Sequence, residues 1–134
     1  MILAIDFGLV RIGLAMGEQI ASEYRTILNN DGAISEILKI IGDEQVDTVV
    51  IGRPVRSRGE KGSIDEHIDF FVQAIKLAVP HITICESNEA FTTSAALSDL
   101  KEKGLSIEAS KKRVDQYAAK LLLQQYIDEQ MKKA

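Results

Sequence analysis

The chain has 134 residues, 46% hydrophobic and 27% charged, with a formal net charge of −4 and one cysteine. That length suits a single domain, 1–134, whose core needs no disulfide or structural metal. The negative charge excludes a general attraction to nucleic acid, so such binding needs a local basic patch; 5% aromatics without tryptophan weigh against a base-stacking platform.

In chain order, "MILAID" and "RIGLAM" are short apolar runs around "FGL", and the alternating "ASEYRTI" follows. Three strands joined by tight turns are expected there. In "NNDGAISEILKIIGDE", Ile34, Ile37, Leu38 and Ile41 recur at i, i+3, i+4 and i+7, one face of an amphipathic helix. "DTVVIG" predicts a buried strand and "RPVRSRGEKG" a loop. Ser63 and Glu66 have capping-box spacing, and Ile64, Ile68, Phe71 and Ile75 stripe the helix behind them. After Pro80 comes the short strand "ITICE", with Cys85 as a small buried residue suited to a reduced compartment. Thr92 or Thr93 can cap a helix ending near Gly104. A last helix, from about Ser110, carries two adjacent stripes: Val114, Ala118, Leu121 and Asp115, Ala119, Leu122, Tyr126.

The order β-β-β-α-β-α-β-α-α puts a three-strand meander before strands that arrive by helical crossovers. The expected class is α/β, three layers with a mixed sheet. No run is apolar enough to span a membrane, and Asp6 and Arg11 interrupt any signal-like start, so a cytoplasmic chain with no membrane partner is expected.

Three acids stand out by position. Asp6 ends the first strand, Glu89 follows "ITICE", and Asp115 lies on an apolar stripe with the small pair Ala118 and Ala119 one turn on. Each has an ordinary reading: a turn residue, a helix-start charge and a solvated acid, respectively. Glu86 competes with Glu89, and spacing does not separate them. Carboxylates from separate elements that converge at one sheet edge repel each other unless a cation joins them. Hard ions such as Mg²⁺ suit that all-oxygen setting, and a pair of them about 4 Å apart serves phosphodiester cleavage. Gly8 and Gly52 would let a phosphate approach.

"IDFGLVRIGLAMGE", "VVIGRP", "NEAFTT" and "KKRVDQYAAKLLLQQYI" resemble the successive motifs of the YqgF/RuvX family, in order over essentially the whole chain. These small bacterial proteins have a ribonuclease-H-like fold related to the Holliday-junction resolvase RuvC. The resemblance implies a five-stranded sheet with helices on both faces. It implies a nuclease that matures the 5′ end of the small-subunit ribosomal RNA precursor, or a resolvase acting on branched DNA. It further implies Mg²⁺ or Mn²⁺, a structured RNA or branched DNA partner, the ribosomal small subunit as a further partner, and a monomer or homodimer. The family's acids fall on Asp6, Glu89 and Asp115, which favours Glu89 over Glu86. This chain departs from the usual motif at Val10, where lysine is usual, at Arg53, where leucine is usual, and at Asn88 and Ala90, where aspartate and arginine are usual.

Cations that could meet phosphate are Arg53, Arg56, Arg58 and Lys61 of one loop, Arg11 after the first strand, and Lys111, Lys112 and Arg113 before Asp115. For the last three, an ordinary solvated helix start is an equal reading. Thr92 and Thr93 cap a helix first and touch phosphate second. His67, beside acids in "SIDEHID", reads as part of a solvated helix face. Two rival functions follow from the same residues. "IDFGLVRIGLA" also resembles the phosphate-binding hairpin of actin and sugar-kinase ATPases, which clamp nucleotide between two domains. Alternatively, the departures at Val10, Asn88 and Ala90 suit a non-catalytic RNA- or ribosome-binding module.

Overall fold

The computed structural model describes residues 1–53, 63–88, 102 and 107–133. Its middle strand is β1 (Ile2–Phe7), antiparallel to β2 (Arg11–Gly17) and parallel to β4 (Thr48–Arg53). With β3 (Ser22–Leu28) and β5 (Thr83–Asn88) outside them, the strand order is β3-β2-β1-β4-β5. Helices α1 (Ala33–Asp43) and α2 (Ser63–Ala78) cover one face, and α3 (Ile107–Lys133) the other. The sheet is therefore mixed and helices flank both sides. The helix expected from Thr92 or Thr93 to Gly104 lies outside the described residues.

The two faces differ because β1 and β2 alternate in size as well as position. Leu3, Ile5, Phe7, Ile12, Leu14 and Met16 point to α1 and α2 and form the larger core. The opposite face of the same strands carries Ala4 and Ala15, which pack with Val50 against Ala119, Leu122, Leu123 and Ile127 of α3. Each fully buried leucine contributes about 1.5–3 kcal/mol. Small strand residues bring α3 close. The helix starts at Ile107, three residues before the expected Ser110.

Beyond apolar packing, α3 is tied to β3 by polar contacts that a bulge makes possible. The β2–β3 register shifts between Leu14 and Ala15, so that Leu14 opposes Arg25 while Ala15 opposes Glu23. The extra residue, Tyr24, turns Glu23 onto the α3 face, where a regular ladder would point it away. There Glu23 accepts hydrogen bonds from Arg113 and, at 3.1 Å, from Gln116. Burial pushes the Glu23 carboxyl up, but the bonds from Arg113 and Gln116 outweigh it and hold it below its ordinary value. A lowered folded-state value contributes stability above the unfolded carboxylate range, lost as pH falls through the folded value. Urea midpoints measured from pH 7 down to pH 3 should therefore fall more steeply for the native chain than for Glu23→Gln.

Candidate active site

Asp6 is the next-to-last residue of β1 and is 8% exposed. Its register partner on β2 is Gly13, so the two share the α3 face. A Cβ on Gly13 would lie 2.0 Å from the Asp115 carbonyl oxygen and 2.7 Å from the Gln116 nitrogen. The backbone of α3 thus rests directly on β2 at the level of Asp6. On the other flank, Val50 packs under α3, and Gly52, two residues on, shares its face, one step beyond the Ile5–Ile51 pair. Asp6 stands between two strands that both offer glycine beside it.

The Asp115 side chain, 22% exposed, accepts a 2.8 Å hydrogen bond from Arg11 Nε. Arg11 lies two residues before Gly13, toward the β1–β2 turn, so this bond draws the carboxylate to the edge where Asp6 ends its strand. The Arg11 charge offsets that of Asp115 and lowers the cost of holding the acid there. The turn itself is fixed. A Cβ at Gly8 would meet the Arg11 carbonyl oxygen at 2.4 Å, and Asn29 donates from Nδ2 to the Gly8 carbonyl (2.8 Å) and from its backbone to that of Val10 (2.9 Å).

Other candidates sit elsewhere. Arg53, read from sequence as a loop cation beside the carboxylates, is the last residue of β4 and pairs in register with Asn88. It shares the face of Ile51, toward α2. Its guanidinium bonds Glu86, Asp69 at 2.7 Å and the buried Asp65 at 3.1 Å. The Glu86 bond chiefly holds Arg53 above its ordinary pKa, against the opposing effect of burial. Arg53 and Glu86 therefore lie across the sheet from Asp6. Arg113 is engaged with Glu23 on β3. His67 is exposed on α2. Glu89, Arg56, Arg58, Lys61, Thr92 and Thr93, with the side chains of Lys111 and Lys112, lie outside the described residues.

Breaking such a partly buried network by removing the cation costs about 3 kcal/mol. Arg53→Leu should lower the urea midpoint accordingly. Adding Asp65→Asn should recover part of the loss in a double-mutant cycle.

Sequence reading missed Gly13, the residue that sets the Asp6–Asp115 approach. Its signal was the strict large–small alternation Ile12, Gly13, Leu14, Ala15, Met16, Gly17, which marks one face of β2 for a closely packed helix. As a donor set, Asp6 and the Asp115 oxygen not bonded to Arg11 are hard oxygens, which fits Mg²⁺ or Mn²⁺. Among the described residues no three His, Cys, Asp or Glu side chains group closely enough to hold a metal ion, so a third protein ligand would come from outside them.

The profile of the RuvX family, described as Holliday junction resolvase, matches residues 1–129. The chain belongs to the RuvX family. A RuvX relative from Chloroflexus aurantiacus is 33% identical over 132 residues, covering 95% of this chain and 86% of its own. Another, from Maridesulfovibrio salexigens, is 33% identical over 94% of this chain and 96% of its own. Both carry the name "Putative pre-16S rRNA nuclease". Among solved structures, Thermus thermophilus RuvC in complex with Holliday junction substrate aligns with TM-score 0.59 at 15% identity, over 99% of this chain and 96% of that one. Fowlpox virus resolvase with Holliday junction DNA also gives 0.59, at 11% identity, over 96% and 97%. These likenesses show the resolvase-type, ribonuclease-H-like fold of this RuvX chain.

Proposed function

We propose that this RuvX chain is a divalent-metal-dependent nuclease that hydrolyses phosphodiester bonds in 5′-end maturation of the 16S ribosomal RNA precursor. The observation that carries the reading is the close approach of the α3 backbone at Asp115 to Gly13, the register partner of Asp6, which sets two acids from remote parts of the chain at one level of the sheet. Asp6, Asp115 and, by the motif, Glu89 would hold Mg²⁺ or Mn²⁺, which when bound polarises a phosphoryl oxygen and activates a water. The chain's own residues prepare the place. Strand β1 holds Asp6 rigidly, Gly13 lets α3 bring Asp115 down beside it, and Gly52 places no side chain on its other flank. Arg11 orients Asp115 and brings positive charge to the entrance.

Precursor RNA is favoured over branched DNA because the relatives named for it share about a third of their residues with this chain, while the junction-bound structures share 11–15%. The test is single-turnover cleavage of a precursor-like structured RNA and a four-way DNA junction side by side, in Mg²⁺ and in Mn²⁺. Faster RNA cutting supports the reading; cutting of the junction alone overturns the substrate assignment.

Phosphate contacts are assigned to Arg56, Arg58 and Lys61, with Lys111 and Lys112 along the α3 start. Changing Arg56 and Arg58 to alanine should weaken binding to any nucleic acid and flatten its salt dependence by roughly one counterion per lost contact. Metal affinity, measured by titration, should stay where it was.

A further inference from the structure

The turn between β1 and β2 breaks the usual chemistry of turns. Tight turns favour Gly, Asn, Asp and Ser, whose side chains hydrogen-bond locally or tolerate unusual backbone angles. Here Gly8 is followed by Leu9 and Val10, 53% and 67% exposed, at a tip that two bonds from Asn29 hold in place. A third exposed apolar residue, Leu28 at 62%, is the register partner of Arg11 and so shares the face on which Arg11 holds Asp115. Single exposed leucines need no explanation. Three exposed apolar residues on one edge, on fixed backbone, beside the Arg11–Asp115 ion pair, do.

We propose that Leu9 and Val10, with Leu28 behind them, form a wedge that inserts against a base step of the nucleic acid and partly unstacks it next to the cut. The inference rests on the nuclease reading and names how that site engages its substrate. Apolar side chains on a rigid element are what unstacking requires: they bury surface against base faces, while a mobile tip would yield instead of the stack. Leu28 stands opposite Arg11, which holds Asp115, so a phosphate at the carboxylates brings its own bases toward the tip. The chain should thus prefer substrates whose stacking is already weakened near the cut, such as a helix end, bulge or branch.

The test uses the full chain carrying Asp6→Asn, so that substrate survives, with an RNA stem bearing a bulge and a four-way DNA junction. Each carries 2-aminopurine at successive positions around the distortion, since its fluorescence rises on unstacking. At saturation, fluorescence should rise at one or two adjacent positions. Adding Leu9→Ser and Val10→Ser should abolish the rise and weaken binding about tenfold, with the salt slope and melting temperature unchanged. The milder Leu9→Met with Val10→Ile should keep the rise. Binding without a rise, or a rise that survives the serine pair, overturns the wedge and leaves the nuclease reading intact. Failure of both nucleic acids to bind overturns the nuclease reading, and the wedge with it. Sedimentation showing a dimer that the serine pair dissociates would assign the tip to self-association and overturn the proposal.

Discussion

Gly13→Ala should lower the melting temperature by roughly 10 °C, a large loss for adding one methyl group. The methyl would sit 2.0 Å from the Asp115 oxygen, 2.2 Å from its carbonyl carbon and 2.7 Å from the Gln116 nitrogen. All three are backbone atoms, so no side-chain rotation relieves the clash. Either α3 lifts off the sheet or β2 bends. Lifting α3 loosens the packing of Ala4 and Ala15 against Ala119, Leu122 and Leu123 and strains the Gln116 bonds to β3. Overpacking of this kind costs about 3 kcal/mol, and in a domain of this size each kcal/mol moves the midpoint by about 2–4 °C. Gly42 is the control, since a Cβ there meets nothing within 4 Å. It lies within α1, and Gly42→Ala should stabilise by about 0.5–1 kcal/mol through helix propensity. Thermal denaturation of the two variants gives opposite signs if close helix approach, and not glycine content, is what Gly13 provides. The Gly13 variant should also lose activity beyond its stability loss, because the same shift moves Asp115 away from Asp6.

Much of this arrangement was readable in the sequence, for physical reasons that also mark where reading stops. Ile37 and Ile41, or Ile68, Phe71 and Ile75, bury one helix face at a period that solvent exclusion enforces, and the structure buries all five. Asp6 and Asp115 stood out because a carboxylate at the end of a buried strand, and another on an apolar stripe, each break their local pattern. Arg53 was not legible. As a cation beside "RPVRSRG" it resembles a loop charge, and its partners lie 12, 16 and 33 residues away. Arg11 shows the same limit, since its acceptor is 104 residues distant. The bulge that turns Glu23 toward α3 depends on a one-residue register shift, which leaves no mark in composition or periodicity. Gly13 was in view but belonged to an "apolar run" until the alternation of large and small residues was tied to a helix on one face.

The second large effect concerns activity. Asp6→Asn keeps the size of the side chain and one acceptor oxygen while removing the charge, so the fold should stay intact. Losing one preorganised electrostatic partner of a developing transition state typically costs about a hundredfold to a thousandfold in rate. A carboxylate charge that holds a divalent ion belongs at the upper end of that range. The loss should appear in kcat more than in KM, because the proposed reading assigns substrate binding to the loop cations and the turn and not to Asp6.

The most direct measurement is single-turnover cleavage of a structured precursor RNA by the native chain and by Asp6→Asn, with Mn²⁺ affinity followed in parallel. The account predicts divalent-dependent cutting by the native chain, with at least about a hundredfold loss and weakened Mn²⁺ binding in the variant. Equal rates, unchanged Mn²⁺ binding, or no cleavage of RNA or branched DNA by the native chain with either ion would contradict it.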